Sequence, residues 1–71
     1  MKCKVLALLG TIRPGKKNPA AGMVDACLQY PDGNAGKHVL YNESAAKLAS
    51  IRAGSEVEVT LRFEEFATVA G

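Results

Sequence analysis

One histidine, two cysteines and a cluster of cations are the side chains here whose type and spacing bear on chemistry. His38 stands alone between Lys37 and Val39, and Cys3 and Cys27 lie far from it and from each other. No zinc-type ligand spacing results, because such a site needs several thiolate or imidazole ligands at short intervals. Glu64 and Glu65 are adjacent, and neighbouring strand residues point to opposite faces, so they are no acid–base pair. The stretch RPGKKNPAAG (Arg13–Gly22) has neither the glycine spacing nor the Lys-Ser/Thr ending of a phosphate loop. The expected protein is non-enzymatic, without a cofactor or a metal.

What remains is binding chemistry. Arg13, Lys16 and Lys17 fall within five residues on one segment, and phosphates are drawn to such a cluster through counterion release. Tyr30 and Tyr41 flank the next turn region, and an exposed tyrosine is a stacking platform for a base. Lys37 lies between them. The competing place for the Tyr30 ring is the core or its rim, because Tyr30 shares a strand face with Val24 and Leu28. The net charge is only +2, yet residues 1–42 carry six basic groups against two aspartates. Residues 43–71 carry three against five glutamates. One half can therefore present a positive face.

The elements that position these residues follow from periodicity. Lys2–Ile12 reads as a strand with Gly10 marking a bend or bulge. Pro14 and Pro19 make 13–22 a loop. Val24, Ala26, Leu28 and Tyr30 alternate with Asp25, Cys27 and Gln29, the mark of a half-buried strand. PDGNAG (31–36) is a turn, and Lys37–Tyr41 is the returning strand. Asn42 is read as the N-cap of a helix over about 43–52, stopped by Gly54. In 55–63 the residues Val57, Val59, Leu61 and Phe63 are expected inward. Glu64–Glu65 breaks that period, which predicts a bulge and a short last strand near 67–70.

The fold class expected is all-β with one short helix: a small antiparallel five-stranded barrel, with the helix between strands 3 and 4. Seventy-one residues make a single domain with a thin core, and without disulfides or metals a homodimer is expected to supplement it. Both cysteines read as reduced strand residues, no secretory leader is visible, and no apolar run approaches a membrane span. The expected localisation is cytoplasmic, with no membrane partner.

The order of elements, with AGSEVEVTL (Ala53–Leu61) after the helix, resembles the oligonucleotide/oligosaccharide-binding (OB) fold. The RPGKKNP loop, VDACLQYPDG (Val24–Gly33) and the chain length are similar to the small single-stranded-DNA-binding proteins of filamentous phages. That resemblance implies dimers coating single strands with low sequence specificity. Arg13, Lys16, Lys17 and Lys37 would hold the backbone, and Tyr30 and Tyr41 would stack. Tyr41–Val59 (YNESAAKLASIRAGSEVEV) is also similar to swapped-hairpin transcription factors of the antitoxin type, which implies an interlocked dimer on duplex DNA. A third reading is a phage- or plasmid-type regulator or inhibitor that binds a protein partner. The acidic stripe Glu56, Glu58, Glu64, Glu65 would be its docking surface.

Overall fold

Five strands and one short helix make up the computed structural model, which describes residues 1–63 and 65–70. In chain order they are β1 (Lys2–Pro14), β2 (Gly22–Gln29), β3 (Ala35–Asn42), α1 (Ala45–Ala49), β4 (Glu56–Arg62) and β5 (Phe66–Val69). The sheet closes on itself as a ring in the order β1-β2-β3-β5-β4. Four of the five neighbouring pairs are antiparallel, and β3–β5 is parallel. This corrects the all-antiparallel expectation, and the reason is parity. Strands that alternate direction around a ring of odd number must meet one neighbour running the same way. The ring closes within one chain, without a second copy and without the interlocking that a swapped hairpin requires.

Alternation decides which side chains fill the ring. Val24, Ala26 and Leu28 of β2 point inward and are buried with Cys3 and Val5 of β1, Leu40 of β3, Val59 of β4, and Ala67 and Val69 of β5. Gly10 has a φ of 108°, and the β1–β2 register slips between Leu9 and Arg13, so the expected bulge is present. Beyond it β1 continues to Pro14, pairing Arg13 with Met23 and Pro14 with Gly22. Arg13 therefore sits on a strand rather than in the loop, which shrinks to 15–21. A proline is tolerated there because a strand end needs no further ladder donor.

The seam between β1 and β4 sets Lys2 opposite Glu58 and Lys4 opposite Glu56. Opposite charges facing each other across two strands favour that pairing. Half of the acidic stripe is thus in register opposite lysines of the same ring, and Glu58 pairs with the Met1 amino group at 3.1 Å.

Three local expectations change. The helix is only five residues long, and its N-cap is Ser44, which makes no side-chain capping bond. Asn42 instead points inward and is buried: its Nδ2 donates to the Val69 carbonyl at 2.8 Å and its Oδ1 accepts from the Ser44 N–H at 2.8 Å. One amide thus joins β3 to β5 and turns the chain into α1. Helix α1 packs on β1, β2 and β3 through Leu48, its one buried residue. In place of a strand continued through a bulge, β5 runs back along β4: Arg62 pairs with Phe66 and Leu61 with Ala67, antiparallel. Glu64 itself lies outside the described residues. The inward run of β4 ends at Val59; Leu61 is exposed and Phe63 is 90% exposed.

Gly22 shows how closely α1 seats. A Cβ there would stand 2.9 Å from the Ala45 Cβ and 2.9 Å from Ile12 Cγ2. Gly22→Ala is therefore expected to lower the unfolding free energy by about 1–3 kcal/mol, the usual cost of overpacking, measured by urea denaturation.

Candidate functional site

The outer face of β2, β3 and β5 carries side chains from three separated segments. Register sets Met23 beside Tyr41, Asp25 beside Val39, Val39 beside Phe66, and Tyr41 beside Thr68. Met23, Val39 and Tyr41 are half-buried on this face, and Phe66 is exposed. Apolar side chains on the outward pleat of a small ring are the unusual feature, since an outward face is ordinarily polar.

The 15–21 loop rises over one end of that face. Its shape is internally fixed: Gly15 N–H donates to the Ala21 carbonyl, Ala21 N–H to the Asn18 carbonyl, and the Asn18 side chain accepts from Ala20 N–H. Between loop and sheet lies an open cavity of about 740 Å³, lined by Arg13 to Asn18, Met23, Asp25, Val39, Tyr41 and Phe66. A second hollow of about 410 Å³ adjoins it, sharing Tyr41 and Phe66 and adding Glu43, Arg62, Phe63 and Thr68.

The charges around the cavity differ in how they are held. Arg13 bonds Asp25 at 3.1 Å with both side chains substantially exposed. Such a surface pair contributes about 0–1 kcal/mol, so an incoming anion competes for the guanidinium at little cost. Lys16 and Lys17 are exposed and form no ion pair among the described residues. The result is an apolar, aromatic floor with cations along its rim.

Of the six residues singled out in the sequence, four meet here: Arg13, Lys16 and Lys17 at the rim and Tyr41 on the floor. Lys37 is exposed on the same outward pleat as Val39 and Tyr41 and lines an adjoining hollow that shares Asp25 and Val39 with the loop cavity and adds His38 and Glu65. Tyr30 is elsewhere. Its half-buried ring packs against the core, its hydroxyl is hydrogen-bonded to His38 Nε2, and the two rings meet edge to face. Tyr30 follows the inward pleat just past the end of β2, away from the loop cavity. His38 is 7% exposed inside the ring, and its Nδ1 has no partner among the described residues. Gly36 makes room for this pair, since a Cβ there would overlap the Tyr30 hydroxyl. Tyr30→Phe leaves the Nε2 of His38 without its partner. We expect it to cost about 1–3 kcal/mol in stability while leaving any ligand affinity unchanged, checked by denaturation and titration of the same sample.

Met23, Phe66, Arg62 and Phe63 were absent from the sequence-based site. Phe66 carried a signal: continuing the inward alternation of Val57, Val59, Leu61 and Phe63 puts it on the outward face, and that face is the cavity floor. Phe63 adopts a φ of 55°. A left-handed conformation costs an L-residue about 1–2 kcal/mol, and glycine or asparagine is the common occupant.

Cys3 and Cys27 are both free, on opposite faces of the sheet; burial pushes the Cys3 thiol up from its usual range. Among the described residues no helix is long and apolar enough to cross a membrane. No family model, no curated protein and no solved structure matches this chain.

Proposed function

We infer that this protein binds single-stranded nucleic acid, without catalysing a reaction, in the groove between the 15–21 loop and the outer face of β2, β3 and β5. The observation that carries the reading is that one cavity has Arg13, Lys16 and Lys17 at its rim and Met23, Tyr41 and Phe66 on its floor. Cations that track a phosphate backbone beside aromatic rings that accept stacked bases are the two components of sequence-tolerant single-strand binding. A duplex fits less well. The one helix has five residues, too few to read a major groove.

The architecture agrees with this reading. A closed five-stranded sheet with its helix between the third and fourth strands is the layout of an OB fold. Members of that fold bind oligonucleotides on the strand 2–3 face and through the loops after strands 1 and 4. The cavity described above is bounded by that face and the first of those loops. The likeness to phage single-strand-binding proteins rests on the same features. We assign the protein to that class of binder and leave its oligomeric state to the concentration dependence of its sedimentation.

The test is fluorescence anisotropy of an end-labelled oligothymidine, titrated at low and then moderate salt. The expected result is micromolar or tighter binding at low salt that weakens as salt rises. Absence of binding at low salt would remove the nucleic-acid reading and favour a protein partner.

A further inference from the structure

We propose that the free edge of β1, residues 6–14, pairs antiparallel with the same edge of a second copy, giving a two-fold dimer with one continuous sheet across the junction. The pairing forms with or without a ligand in the groove.

Strand β1 outruns its partner on one side. β4 pairs with it at Lys2, Cys3 and Lys4. Val5 is closed by the Gly54 N–H, which donates to its carbonyl, and by the Ser55 carbonyl, which accepts from its N–H. From Leu6 to Pro14 the strand has β2 on one side and no strand on the other among the described residues. Gly10, in the middle of this edge, is exposed, and a Cβ there would meet nothing within 4 Å. Native edges are commonly blunted by charges or proline. Here Val5–Ile12 (VLALLGTI) contains neither, and its interruptions are the register slips near Leu6 and Gly10. Leu8 and Ile12 pack against the core, yet Leu6 and Leu9 remain 43% and 40% exposed. An uncharged, apolar row of unpaired backbone groups is a template for another strand.

The occupant that fits is a second copy. Set antiparallel on itself about Gly10, the stretch 6–14 pairs end to end, and a two-fold axis closes the assembly at two chains. The length matches: pairing starts at Leu6, where the β4 side of the edge becomes free, and stops at Pro14, which has no N–H to donate. Charge matches too. The end of β1 that carries Arg13 arrives at the start of β4 in the second copy, where Glu56 is exposed. Leu9 of each copy approaches the other near the axis. A foreign strand would have to supply the same apolar run with a cation at the end that meets Glu56.

Sedimentation velocity from micromolar to millimolar protein, without oligonucleotide, tests the pairing, together with amide hydrogen exchange at both extremes. The expected result is a monomer–dimer equilibrium in which amides within residues 7–13 exchange more slowly as the dimer forms. Leu9→Lys places two cations near the axis and is expected to raise the dissociation constant at least ~10-fold. Glu56→Gln, which leaves the apolar edge untouched, is expected to raise it about 2- to 5-fold through loss of an exposed ion pair. Circular dichroism of both variants should match wild type, since both side chains are exposed. A protein that stays monomeric at millimolar concentration overturns the proposal. So does a dimer that Leu9→Lys leaves intact, slowed exchange confined to residues outside β1, or growth past two copies.

Discussion

Reversing the two loop charges, Lys16→Glu with Lys17→Glu, is expected to weaken single-strand binding by about 30- to 1,000-fold at low salt. The magnitude follows from removing two lysine–phosphate attractions, at about 1–2 kcal/mol each for charges that stay largely in water, with 1.4 kcal/mol per decade of affinity. The salt dependence should change with it. Each phosphate neutralised on a single strand contributes about 0.7 to the slope of log affinity against log salt, so removing both lysines flattens that slope by about 1.4. The fold should be untouched, because both side chains are exposed and without ion-pair partners among the described residues. Anisotropy at several salt concentrations measures both quantities together. An unchanged slope would mean that these lysines touch no phosphate, even if the affinity falls.

The second large effect concerns the fold that holds the groove. Leu48→Ala is expected to cost about 2–5 kcal/mol, the range for truncating a fully buried leucine. Leu48 is 1% exposed and is the one buried residue of α1. A five-residue helix has no independent stability, so its packing on β1, β2 and β3 is what keeps it folded. Helix α1 also seats against Gly22, the first residue of β2, one position before Met23 on the groove floor. Small domains have roughly 5 kcal/mol of total stability, and the substitution removes a large part of it. A urea titration followed by circular dichroism measures the shift in midpoint. A shift equivalent to less than about 1 kcal/mol, well under the range for a buried leucine, would show that α1 contributes little to the ring.

Much of this architecture was legible in the residues. The alternation of Val24, Ala26 and Leu28 against Asp25 and Cys27 is borne out by their burial, and Gly10 marks a real register slip. These features are local: a period of two and a single glycine report the conformation of their own segment. The elements that differed depend on distant partners. Asn42 has the composition of a helix cap, but its amide is taken by Val69, 27 residues away. Tyr30 has the composition of a stacking platform, but its hydroxyl is taken by His38. The Phe63–Phe66 segment changes faces, and a bulge and a reversal shift the face alike. Nothing in its composition marked a turn, because a phenylalanine holds the left-handed position.

The site divides in the same way. Lys16 and Lys17 were singled out from the sequence because a cation cluster between prolines is a local signal. Met23, Tyr41 and Phe66 come from three strands, and only the β2–β3 and β3–β5 registers bring them to one floor. Lys37 shares the outward pleat of β3 with Val39 and Tyr41 and lines a hollow that adjoins the cavity through Asp25 and Val39. The acidic residues of β4 lose part of their force as a docking stripe for a similar reason. Glu56 and Glu58 face Lys4 and Lys2 across the seam.

The most direct test of single-strand binding in this groove is an amide chemical-shift titration of the isotopically labelled protein with unlabelled oligothymidine. The largest shifts are expected in Lys16 to Asn18, Met23, Tyr41 and Phe66, with Tyr30 and Gly36 at the other end of the hairpin unaffected. Saturating perturbations centred instead on the β1–β4 seam or on Tyr30, or none at oligonucleotide excess and low salt, would contradict it.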